Sequence, residues 1–140
     1  MTGTSTPAAA QGLEPLPYVL EETSQVDLMT RCAGLFLSTV KWVGETRLGP
    51  ENTRNFKNMS VRFVESAMVA QAEQDGTDQG SLAFVALQNT MVDAAKAMEE
   101  KYLFRYKTLF ETSGLTIEED GLWNADMDAC AVIAGGLSDG

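Results

Sequence analysis

The sequence predicts an all-α protein: an antiparallel three-helix bundle with one long third helix, a short C-terminal helical segment and an extended N-terminal arm. Three observations carry this expectation. Apolar residues recur at spacings of three and four through three long segments. Glycine and proline interrupt the chain where those segments end, at Gly49-Pro50, Gly76 and Gly114. Ser24 and Thr116 stand where helices open, each followed three residues later by an acidic residue in the manner of a capping box.

Residues 1–20 form the arm, and 21–140 a single helical domain. Pro7, Pro15 and Pro17 prevent a continuous helix in the arm. Leu13, Leu16, Tyr18, Val19 and Leu20 make its end apolar, so that it docks on the bundle or on a neighbouring subunit. The first helix is expected over 25–48. Val26, Met29, Ala33, Phe36, Val40 and Val43 form one stripe, and Leu28, Cys32, Leu35, Thr39 and Trp42 a second beside it. Two adjacent stripes make a broad apolar face and place this helix at the centre.

The second helix is expected over 51–74, with Phe56, Met59, Phe63, Ala67 and Ala70 on one stripe and Val61, Val64, Met68 and Ala72 on another. The third is expected over 81–112, with Phe84, Met91, Ala95, Met98, Tyr102 and Leu109 on one face. At ~1.5 Å per residue it spans about 48 Å, so its far end must pack on the C-terminal segment, the arm or another subunit. Short helices are expected over 117–121 and over 125–134, the latter capped by Asn124 and ended by Gly135-Gly136. Leu122, Trp123, Met127, Cys130, Val132 and Ile133 then face the core. A hairpin over 115–123, turning at Asp120-Gly121, is the competing reading.

Charge is the most unusual feature, with a net value of −10. Residues 1–30 carry four acidic groups and no basic one, and 108–140 carry seven and no basic one; all ten basic residues lie between, with nine acidic ones. A nearly neutral body with acidic ends repels nucleic acid, favours solubility and attracts basic surfaces. No segment approaches the ~20 apolar residues of a membrane helix, and no basic residue or apolar core of a secretory leader precedes Arg31. The protein is therefore expected in the cytoplasm, with no membrane and no direct nucleic-acid partner. Cys32 and Cys130 both lie in apolar surroundings. They read as two buried thiols in a reducing compartment, with a Cys32–Cys130 bridge as the alternative.

The chain contains no histidine, which removes Ser-His-Asp and Cys-His catalysis and histidine-based metal sites. The carboxylate groups Glu99-Glu100, Glu118-Glu119-Asp120 and Asp126/Asp128 read as solvated helix starts. The Asn124-x-Asp126-x-Asp128 spacing fails as a calcium loop, because Ala129 stands where glycine is required. No phosphate-binding loop is present, and no cofactor is expected. The most distinctive segment is Lys101-Tyr102-Leu103-Phe104-Arg105-Tyr106-Lys107. Either it is a binding face for an acidic partner or a stacking platform for single-stranded nucleic acid, the latter opposed by the overall charge, or Tyr102, Tyr106, Leu109 and Phe110 pack inward while Lys101, Arg105 and Lys107 meet the acidic C-terminal segment.

The expected function is that of a non-enzymatic structural or adaptor protein working through protein–protein contact, in a homo-oligomer or a larger particle such as a virion. The contact residues expected are Tyr102, Phe104, Arg105 and Tyr106, with Leu13, Leu16 and Tyr18 of the arm. Two alternatives stand beside it: an acidic inhibitor of a basic nucleic-acid-binding groove on another protein, and a thiol-based redox protein.

Overall fold

The computed structural model describes residues 13–138, and among these there are six α-helices and no strand. The chain is all-α, as its periodicity requires. Helix α1 (Leu16–Val19) runs into a 3₁₀ turn (Leu20–Glu22) and is followed by α2 (Gln25–Val43), the short α3 (Glu45–Leu48), α4 (Pro50–Asp75) and α5 (Leu82–Ser113). A second 3₁₀ turn (Ile117–Glu119) leads into α6 (Gly121–Ser138). No described helix is long and apolar enough to cross a membrane.

Helix α2 is the centre of the molecule. Every residue from Met29 to Phe36 is buried, so the helix is enclosed around its full circumference over two turns. Helices α4 and α5 pack along it and against each other, while α6 and α1 cover what remains. The side chain of Ser24 accepts a hydrogen bond from the Asp27 amide (3.1 Å) and starts the helix. The approach of α5 is set by Gly34: a Cβ there would stand 2.6 Å from the Cβ of Met98 and 2.8 Å from the Ala95 carbonyl oxygen. Against α4, Phe36 meets Phe56 and Phe63 with ring centroids 5.3 and 5.8 Å apart, geometry in which aromatic pairs attract.

Several expected boundaries are corrected. The first helix does not run to Leu48; it stops at Val43, because Gly44 adopts φ 88° and ψ 153°, a backbone region open essentially to glycine alone. The segment over 115–123 is not a hairpin. Thr116 and Glu119 close a capping box around the 3₁₀ turn, and Asp120 then caps α6 by accepting a hydrogen bond from the Leu122 amide (3.0 Å). Helix α6 starts four residues earlier than expected, and Gly135-Gly136 do not end it. Asn124 is therefore inside the helix, its amide donating to the carbonyls of Glu118 and Asp120 rather than capping. Leu122, Asp126, Cys130 and Ala134, at intervals of four, are buried, and Trp123, Met127 and Ile133 pack half-buried against the core as expected, but Val132 is 77% exposed.

The arm falls partly outside the described residues. From residue 13 onward it is docked on the bundle, with Leu13 and Leu16 buried. Pro17 fits the first turn of α1, where its missing N–H costs nothing.

Candidate functional site

Three side chains meet in the interior where α2, α5 and α6 converge. Arg31 of α2 is buried and donates from Nε to the Tyr102 hydroxyl (2.9 Å) and from Nη2 to Asp126 Oδ2 (2.7 Å). The same Nη2 donates to the Glu14 carbonyl. Tyr102 of α5 passes its own proton toward Asp126 Oδ2 (2.5 Å), and the Leu16 amide donates to Asp126 Oδ1 (2.7 Å). Asp126 of α6 is fully buried, and both its oxygens accept hydrogen bonds.

Electrostatics follow the geometry. Burial opposes the Arg31 charge, but Tyr102 and Asp126 outweigh it, and the guanidinium pKa is raised. Burial first, and the Asp126 charge second, push the Tyr102 phenol well above its ordinary value. The group is a neutral phenol bridging a fixed ion pair. A carboxylate engaged this fully and closed off from solvent holds elements together; it is not placed to exchange protons with a substrate.

Two further links run beside this clasp. Arg105 donates from Nε and Nη2 to the two oxygens of Asp120, each at 2.8 Å, a bidentate pair joining the far half of α5 to the start of α6. That hydrogen bond is the main reason the Arg105 pKa is raised. Cys32 and Cys130 form a disulfide, with Cα atoms 5.6 Å apart and both residues buried. The expectation of free thiols is overturned: α2 and α6 present the two cysteines to each other one position beyond Arg31 and one turn beyond Asp126. The reading of Asp120 and Asp126 as solvated is overturned as well, since both are buried against arginines.

Of the seven expected contact residues, Leu13, Leu16, Tyr102 and Tyr106 are buried in the core of their own chain. Tyr106 bonds to Ser38 (2.8 Å), and Arg105 is held by Asp120. Only Tyr18, 78% exposed, and Phe104, 42% exposed, present open apolar surface. Arg105 does meet the acidic C-terminal segment, whereas Lys101 and Lys107 point to solvent and Phe110 is exposed rather than packed inward.

A different feature is open. Between α4 and α5 runs a groove of about 220 Å³, floored by Leu37 and Ala95. Val61, Val64, Glu65 and Met68 form one wall, and Gln88, Val92 and Lys96 the other. Its volume lies below the ~300–1,000 Å³ of small-molecule sites. The second apolar stripe of α4 contributes both to the core, through Met68 and Ala72, and to this groove, through the exposed Val61. Among the described residues no group of three acidic or thiol side chains could hold a metal ion.

No known protein family matches the chain, and no curated protein or solved structure does. The functional reading rests on the geometry.

Proposed function

We propose that the protein is a non-enzymatic structural or adaptor protein that acts through protein–protein contact, in an oligomer or a larger particle. The observation that supports this most is the contrast between interior and surface. The buried polar groups Arg31, Tyr102, Asp126 and Asp120 are engaged with one another or with backbone, while the apolar side chains of Val61, Leu82, Val85, Phe104 and Phe110 stand uncovered. Size-exclusion chromatography with light scattering on the purified chain tests it. A mass above the monomer, rising with concentration, supports the reading. A strict monomer that also retains no protein from its native source counts against it.

The inhibitor alternative is weakened by the same structure. Two of the seven acidic residues over 108–140, Asp120 and Asp126, are neutralised inside by Arg105 and Arg31 and are withdrawn from any basic partner. The redox alternative has less support, because the Cys32–Cys130 bridge is buried away from any exchanging thiol. That bridge also removes the support for a reducing cytoplasm. A working site where disulfides persist fits better, and the mass of the protein isolated without reductant checks it: two hydrogens fewer than the dithiol form is the expected result.

A further inference from the structure

We infer that the α4–α5 groove is a self-docking face, on which two copies of this chain pack about a twofold axis with Glu65 of one protomer set against the partner's Lys96. This rests on the contact reading above and names its surface and its partner.

Helix α4 carries two apolar stripes. The one with Phe63 and Ala67 is buried against α2; of the other, Met68 and Ala72 are buried and Val64 packs half-buried against the core, while Val61 faces outward. On α5, Val85, Gln88 and Val92 follow at spacings of three and four, so they too form one line along the helix. Val61 is 54% exposed and Val85 58% exposed. Two neighbouring helices, each with an exposed valine on the same open face, make half of a four-helix layer. A second copy supplies the other half.

Charge selects that copy over an unrelated helix. Glu65 stands on the α4 wall and Lys96 on the α5 wall, and neither takes part in the ion pairs seen among the described residues. A twofold axis through the groove exchanges the two walls, so each acid faces a base and like charges do not meet. The chain's net charge of −10 opposes association at long range, but repulsion between exposed charges is largely screened beyond ~10 Å at 0.1 M salt, and the local pairs decide the register. The groove itself runs from 60 to 68 on α4 and from 88 to 96 on α5, and a stable interface takes about 800 Å² from each partner, so the contact extends past the groove onto the exposed Val85 and Leu82.

Sedimentation equilibrium on the full, disulfide-bonded chain tests the proposal through a charge exchange. The wild type is expected to dimerise. Glu65→Lys and Lys96→Glu should each weaken the dimer about tenfold or more, because the axis turns each reversal into two repulsions. An equimolar mixture of the two variants should recover a heterodimer, and the double variant should recover the homodimer. Val61→Asp should give a monomer with an unchanged helical circular dichroism spectrum. A dimer equally tight in every variant overturns this face and leaves the contact reading standing, since assembly then uses another surface. A wild type that stays monomeric overturns the proposal, and does so even where some other protein proves to occupy the groove.

Discussion

Where α4 meets α2, the contact is dry: Phe36 lies against Phe56 and Phe63, and Ala67 is buried beside them. Where α6 meets α2, the contact is made by an ion pair, a disulfide and the Trp123 indole donating to Thr39 (3.0 Å). The difference follows from what each helix brings. Helix α4 has 26 residues and a long apolar stripe, so burial alone orients it. Helix α6 has 18 residues; it buries Leu122, Asp126, Cys130 and Ala134 in line and only half-buries its larger apolar side chains Trp123, Met127 and Ile133, so burial alone fixes its register less firmly. Directional bonds fix it instead, and they bring α1 with them through the Leu16 amide. Apolar packing tolerates small shifts; buried charges held by several directional bonds do not.

The largest expected effect breaks the bonded side. The disulfide closes a loop with a sequence separation of 98. Replacing Cys32 and Cys130 by Ala should cost about 4–5 kcal/mol on the chain-entropy account, read as a lower denaturant midpoint at pH 7. Next comes Asp126→Ala, which leaves the Arg31 charge, the Tyr102 hydroxyl and the Leu16 amide without their acceptor. A loss of about 3–5 kcal/mol is expected. Replacing Arg31, Tyr102 and Asp126 together by apolar residues of similar size should cost far less, and an equal loss in both variants would show that the clasp contributes by shape rather than by charge.

A smaller effect sharpens the packed side. Gly34→Ala drives a methyl into Met98 and the α5 backbone, and a loss of about 1–3 kcal/mol is expected from this overpacking. An unchanged melting temperature would mean that α5 shifts freely along α2. The smallest effect is that of pH. The Tyr102 and Tyr106 pKa values are raised in the folded chain above their ordinary 10.0, mainly by burial. Folding therefore favours the protonated phenols; their contribution is complete below pH 10 and is lost as pH rises past it. The denaturant midpoint should hold from pH 7 to 9 and fall above 10, and a midpoint that rises there would contradict the burial of these rings.

The helices were legible because period and caps are local: Ser24, Pro50, Gly76 and Gly114 mark ends within a few residues. Gly44 was missed because a glycine inside a periodic segment is compatible with a continuing helix, and only its backbone angles show the break. The clasp was missed for a different reason. Arg31 and Asp126 are 95 residues apart, and periodicity says nothing about which buried polar groups pair. A trace of it was present all the same: Arg31 is the one charged residue between Leu28 and Val40, and a lone charge in a buried run needs a partner. Asp126 and Cys130 lie four apart on the last helix, and its start at Gly121 brings Leu122 into the same line. The aromatic segment around Tyr102 was conspicuous for its composition, yet it serves the interior. Val61 passed as core with Val64, Met68 and Ala72 because periodicity does not show where along a stripe the cover ends.

Hydrogen exchange, compared between dilute and concentrated protein, tests most directly the claim that one side of the molecule is closed structure and the other an open contact face. Added protection should appear at the amides of 57–70 in α4 and 85–96 in α5, with none across α6 or around Leu16. Protection gained along α6, or gained nowhere, would contradict it.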